Sequence, residues 1–347
     1  MLQLESKRLK ALDAMRGIAI LFMIPFHIFL FGGGVPWSGG SGSNLLFVDL
    51  SRPLGSGLIL FYFVTGMTLI VSFASKRENQ SFYGMFRHML RRYGGYLILG
   101  VIIEIVFRHL VWGQKVTDLI VGIFGGWTLT ISSPIMGLSL AAILAFPFIL
   151  YLSWKQLLAA AIVLASTLTT ILYRIPIPDF FLLNLLFTNN FAVLKGVPIV
   201  MFGAAIGYLL LEGRDLKKTF LLIGGTIASI YTIIPLLLGR GMLHLLFAIW
   251  AYPYAVTFIT GISLAFLGLF QYLDVRKINL SPATVLGRSS FFVYYGHFIL
   301  LFVFLALIGF SNVTMTILLS DMLVSTIGIW VIVYFYSKRR WGPPSNW

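Results

Sequence analysis

Apolar runs of membrane-spanning length dominate this chain and leave room for little besides a helical membrane fold. They fall near residues 11–31, 54–74, 93–111, 134–152, 155–173, 195–212, 219–238, 246–272, 285–309 and 312–336. A span needs about 20 mostly apolar residues, so about ten spans take up roughly 200 of them. The 347 residues are 59% hydrophobic and 10% charged, with a mean hydropathy of +0.95. An ordinary soluble domain carries about 25% charge, and a chain this poor in it could not keep a soluble surface. The expected fold is all-α: a polytopic membrane helix bundle of about ten (roughly nine to eleven) transmembrane helices. No repeat, low-complexity tract or long linker divides the chain, so residues 1–347 read as a single integral-membrane domain. Rossmann enzymes, secreted disulfide scaffolds and nucleic-acid-binding domains are excluded.

The formal net charge of +14 would suggest a nucleic-acid partner in a soluble protein. In a membrane protein it reports orientation instead, because Lys and Arg accumulate in cytoplasmic segments. With the N-terminus inside, positions 7, 8, 10, 16, 76, 77, 87, 91, 92, 155, 214, 217, 218, 276, 277, 288, 338, 339 and 340 are cytoplasmic. Only Arg52, Arg108, Lys115, Arg174, Lys195 and Arg240 fall outside, and both termini are then cytoplasmic. The first apolar run lacks a small-residue cleavage site and reads as a retained helix. The glycine- and serine-rich stretch from Gly32 to Pro53 reads as an outward loop. Thr117 to Ser133, broken by Gly-Gly, Ser-Ser and Pro134, reads as a short or re-entrant element. There is no cysteine, hence no disulfide, thiolate ligand or thiol nucleophile.

Ionisable groups near the bilayer centre cost about 2.5–3.5 kcal/mol on insertion scales, so each one asks for a role. Four stand out: His27, Glu104, His297 and Asp321. His27 follows Pro25, whose ring frees a backbone carbonyl that the imidazole could bond. Its alternative role is a general base, since neutral imidazole accepts a proton near pH 7. His297 reads equally as a buried hydrogen-bonding histidine or a functional one. Glu104 and Asp321 show no evident local partner; a structural ion pair or bundle-facing hydrogen bond is the simpler account of either. His88 lies in the basic segment and reads as solvated, and His109 and His244 read as interfacial. Histidines at metal-ligand spacing and a His-Glu-x-x-His motif are absent, so no metal is expected.

The run Arg87-His88-Met89-Leu90-Arg91-Arg92 places Arg87 and Arg91 on one helix face. Arg8, Arg16 and Arg288 fall at the same membrane face in this topology. Such a cluster marks orientation and meets anionic lipid. It also suits a phosphate-binding mouth, for which the planar guanidinium fork is apt.

Four segments in order then carry a resemblance. Arg8-Leu9-Lys10-Ala11-Leu12-Asp13-Ala14-Met15-Arg16-Gly17-Ile18-Ala19-Ile20 precedes His27. Phe61-Tyr62-Phe63-Val64-Thr65-Gly66-Met67 follows, then the Arg87–Arg92 cluster, then Leu286-Gly287-Arg288-Ser289-Ser290 leading to Tyr294-Tyr295-Gly296-His297. The chain resembles the transmembrane acyltransferases, specifically prokaryotic relatives of the heparan-alpha-glucosaminide N-acetyltransferase family. The resemblance implies transfer of an acyl group, typically acetyl, from cytoplasmic acyl-CoA to an amino-sugar or other glycan acceptor outside. Acetyl-CoA would be the co-substrate, with no metal and no nucleic acid, in a prokaryotic cell membrane; a homodimer is left open. Arg8, Asp13, Arg16, Arg87, Arg91, Arg92 and Arg288 would meet CoA, and His27 and His297 would be catalytic. The animal enzymes carry a histidine in the loop after the first span, but Gly32 to Pro53 holds none, so the role passes to His27. Arg16 and His27 are 11 positions apart, about 16 Å along a helix, comparable to an extended pantetheine arm. The competing reading is a transporter or flippase of a lipid-linked sugar, and a third is an inactive lipid-binding scaffold. Transporters often carry paired broken helices, and only one broken segment is evident here.

Overall fold

The structure, a computed structural model, describes residues 10–32, 56–73, 80–125, 133–174, 193–213, 215–237, 254–276, 281–308 and 315–341. Among them there are twelve helices and no strand. In order these are α1 (Lys10–Gly32), α2 (Ser56–Phe73), α3 (Phe82–Trp112), α4 (Val116–Gly125), α5 (Ser133–Tyr151) and α6 (Trp154–Arg174). They are followed by α7 (Val193–Leu211), α8 (Lys217–Leu237), α9 (Tyr254–Val275), α10 (Ser281–Arg288), α11 (Ser290–Ile308) and α12 (Met315–Trp341). Among the described residues each apolar run read from the sequence falls largely on helix, the ninth on two. By length and composition alone, Val193–Leu211 is the candidate membrane span among the described residues; several neighbours offer shorter apolar stretches.

Three boundaries differ from the sequence reading. The basic segment is helical from Phe82 onward, so Arg87, His88, Arg91 and Arg92 ride on the first turns of α3. Ser81 supplies the reason: in extended conformation, it caps the helix by accepting the Gly84 amide at 3.2 Å. At the other end Gly113, at φ 64°, closes α3 in a left-handed turn that only glycine adopts at no cost. Within the segment expected to be short or re-entrant, residues 117–125 belong to α4, and 126–132 lie outside the described residues. The ninth apolar run is broken at Ser289 into α10 and α11. The loop read over Gly32 to Pro53 lies almost wholly outside the described residues, as do Arg8, Lys76, Arg77 and His244.

The chain gathers into two compact units, Met1–Phe61 with Leu216–Trp347, and Tyr62–Asp215. In the second, α7 packs on α5 and α6, and α3 packs on α5. Small residues let the backbones touch. A methyl group added at Gly66 would strike the Val200 carbonyl, and one at Gly203 the Phe63 carbonyl. Such close approach is how helices associate where lipid removes the hydrophobic drive between them. In the first unit α1 is central, packed against α9, α10, α11 and α12, while α8 lies along α9.

The outward faces are apolar. Ile98, Ile102 and Val106 make an exposed stripe on α3, and Leu323, Ile327 and Phe335 another on α12. Leu237 and Leu307 are 80% and 81% exposed. Stripes of this kind in water would form a large aggregation-prone patch; against lipid they are the ordinary exterior.

Candidate active site

Two constellations lie along α1, each completed by the α10–α11 segment. Near the start of α1, the buried Asp13 carboxylate holds two arginines. Its Oδ1 accepts from Arg16 Nη1 at 3.2 Å, and its Oδ2 from Arg288 Nε at 3.3 Å. Arg16 comes from one turn further along α1, and Arg288 from the end of α10. Glycine makes this meeting feasible. A side chain at Gly17 would strike the Ala283 carbonyl, and one at Gly287 the Asp13 carbonyl. The two glycines of the sequence motifs thus set the close approach of α1 and α10, and their arginine neighbours then converge on one carboxylate. The cluster carries a net single positive charge, which favours an anion.

Further along α1, His27 Nδ1 lies 2.8 Å from His297 Nε2 of α11. Both rings are buried, nearly parallel at 14°, with centroids 5.0 Å apart. The ring protons follow from the partners. His297 Nδ1 lies 3.1 Å from the Val293 carbonyl, one turn back on α11. A carbonyl only accepts, so this nitrogen carries the proton. In a neutral ring, His297 Nε2 is then the acceptor, and His27 Nδ1–H donates to it. His27 Nε2 is left with the lone pair, which is the form a general base needs. Of the two accounts of His27 open in the sequence, the described partner is a second histidine, 270 positions away.

Aromatic rings enclose the pair. Phe298 sits 4.5 Å from the His27 centroid and 4.3 Å from that of His297. Tyr294 meets both edge-on, at 6.4 Å and 5.7 Å. Positions 294, 297 and 298 share one face of α11 because they are spaced three and four apart. Tyr294 was marked in the sequence only as part of the motif leading to His297, and Phe298 went unmarked, because an aromatic residue in an apolar run carries no distinguishing signal.

The remaining candidates are elsewhere. Arg87, Arg91 and Arg92 belong to the second unit and are exposed on α3. Arg8 lies outside the described residues. Glu104 has a local partner that the sequence reading missed, in the structural ion pair which that reading preferred: Arg108 Nε donates to its Oε1 at 2.8 Å, and both are buried. The i, i+4 spacing puts the two on one face of α3, and each cancels the other's charge. Asp321 lies on α12, with its side chain outside the described residues. His88 is exposed, its ring 6.0 Å from Phe73, on a helix rather than a loop. His109 is exposed and bonded to the Gln114 carbonyl at 2.9 Å. Among the described residues no cluster of three His, Cys, Asp or Glu could hold a metal ion.

Comparison with known proteins separates the enzyme from the transporter reading. Among curated proteins none matches the chain. A family model described as an acyltransferase domain matches residues 9–336, spanning both compact units and nearly the whole length. The chain belongs to this acyltransferase family, which is typically membrane-associated.

Proposed function

We propose that this protein is a multi-pass membrane enzyme, one integral-membrane domain with both termini cytoplasmic, that moves an acyl group from cytoplasmic acyl-CoA to an amino-sugar or glycan acceptor outside. The observation that carries the proposal is the layout of α1. An anion-favouring cluster and a base-competent histidine stand 11 residues apart on it, about 16 Å. That interval suits a ligand with phosphates at one end and a reactive thioester at the other. The resemblance to relatives of heparan-alpha-glucosaminide N-acetyltransferase supplies the acceptor class and favours acetyl as the group transferred.

In this reading His27 Nε2 takes the proton from an acceptor hydroxyl or amine as its oxygen or nitrogen attacks the thioester carbonyl. The new C–O or C–N bond forms and the C–S bond breaks. The CoA thiolate leaves and recovers the proton from His27. An alternative route makes His27 an acyl carrier, attacked by the acceptor in a second step. His297 holds the tautomer in either route. Asp13, Arg16 and Arg288 form the phosphate site, with Arg8 and the exposed Arg87, Arg91 and Arg92 contributing further cationic contacts.

The test is binding of acetyl-CoA against free CoA and unrelated nucleotides by the purified, lipid-embedded protein. Acetyl-CoA is expected to bind and unrelated nucleotides not to. An Arg87→Ala/Arg91→Ala double variant is expected to bind CoA more weakly and with less dependence on salt, because fewer charges take part. Equal affinity in a folded double variant removes those arginines from the site. Orientation is checked with single cysteines, which the native chain lacks. Cysteine at position 40 is expected to react with an impermeant reagent from outside and at position 80 from the cytoplasm; the reverse pattern overturns the topology.

A further inference from the structure

The rings around the histidine pair bear on a question that the proposed reaction leaves open, namely how large an acyl group the site admits. His27, Tyr294, His297 and Phe298 are 5%, 4%, 1% and 3% exposed, so their contacts occupy the space beside the reacting ring. Phe298 is the nearest of these rings to both histidines that has no polar atom of its own. Tyr294 packs edge-on against it, centroids 5.5 Å apart at 69°, which holds its ring from the side. His297 is its chain neighbour and cannot give way without breaking the bond to His27. In the proposed reaction the thioester carbonyl comes within reach of an acceptor at His27, beside these rings.

We infer that Phe298 is a specificity-determining residue that limits the donor to short acyl chains, with its ring standing where the third and later carbons of a longer chain would lie. The inference rests on the proposed acyl-CoA reading and goes beyond it, to the class of acyl group.

The experiment uses the full-length protein in lipid nanodiscs and non-hydrolysable thioether analogues of acetyl-, butyryl-, hexanoyl- and octanoyl-CoA. Affinity is measured by calorimetry, so that no acceptor is needed. For the unaltered protein, affinity is expected to fall once the chain exceeds two to four carbons. In Phe298→Ala the order is expected to reverse, gaining up to about fourfold per added methylene until the vacated space is filled. Phe298→Trp, which enlarges the ring and keeps the site apolar, is expected to reject butyryl more strongly than the unaltered protein does. A chain-length profile that is the same in all three proteins overturns the inference while leaving the proposed function standing. Failure of the unaltered protein to bind the acetyl analogue overturns both. Should Phe298→Ala not fold, Phe298→Leu opens less space and is expected to move the preferred length in the same direction, and no movement there is equally fatal.

Discussion

Replacing His27 by alanine is expected to lower kcat by about 10²–10⁴-fold, the usual contribution of a positioned base, while affinity for CoA is retained. The separation follows from the layout: the proposed phosphate site lies on an earlier stretch of α1, and the substitution removes only the ring that holds the lone pair. His297→Ala is expected to behave differently. It removes the acceptor for His27 Nδ1–H, so the tautomer is no longer held, and it opens a void between α1 and α11 in the aromatic cup. Turnover and binding should then fall together. His297→Gln tells tautomer control from simple packing, because its carbonyl oxygen can still accept from His27 and should restore part of the rate. Acyl-transfer rates and CoA affinities on the three variants decide the roles. Unaltered turnover in His27→Ala removes it from the chemistry.

What the sequence could yield here follows from which interactions are local. Helix positions were legible because an apolar run of span length has few other solutions, and among the described residues all ten runs fall largely on helix. The helical state of Arg87 to Arg92 was legible too, through Ser81 as a capping residue three positions before Gly84, although the cluster's charge drew attention first. The Glu104–Arg108 pair needed only the i, i+4 rule applied inside an apolar segment. The histidine pair is of another kind. His27 and His297 are 270 positions apart, and no local rule brings them to 2.8 Å. Their meeting depends on α1 and α11 packing side by side. The sequence records the conditions for the neighbouring α1–α10 contact in Gly17 and Gly287, two glycines that read as ordinary until the backbone opposite each is known. The same is true of Phe298, one of 31 phenylalanines, set apart only by what it touches.

Asp13→Ala is expected to cost about 3–5 kcal/mol of stability, the range for breaking a buried ion pair by removing one partner. The carboxylate is 2% exposed and is shared by Arg16 and Arg288, so its loss leaves two guanidiniums facing each other across the α1–α10 contact. That contact has no slack, because Gly17 and Gly287 already lie against opposing backbone. The repulsion therefore cannot be relieved by a small separation of the helices. Removing Arg288 as well should recover a large part of the loss, since Arg16 and Arg288 then no longer repel each other. The coupling between the two substitutions is expected to reach about 1–3 kcal/mol, the range for residues in one charge network. Reversible unfolding in detergent, followed by tryptophan fluorescence across the single and double variants, measures it. Strictly additive losses would mean that Asp13 and Arg288 are not energetically coupled. A loss under about 0.5 kcal/mol in Asp13→Ala, typical of surface substitutions, would show that the carboxylate does not hold the two elements together. Binding gives a second and opposite reading of the same carboxylate. Removing it raises the net charge of the cluster, so an Asp13→Ala protein that still folds should attract anions more strongly at low salt, yet hold CoA less selectively against inorganic diphosphate, because the carboxylate no longer fixes the direction of the two guanidiniums.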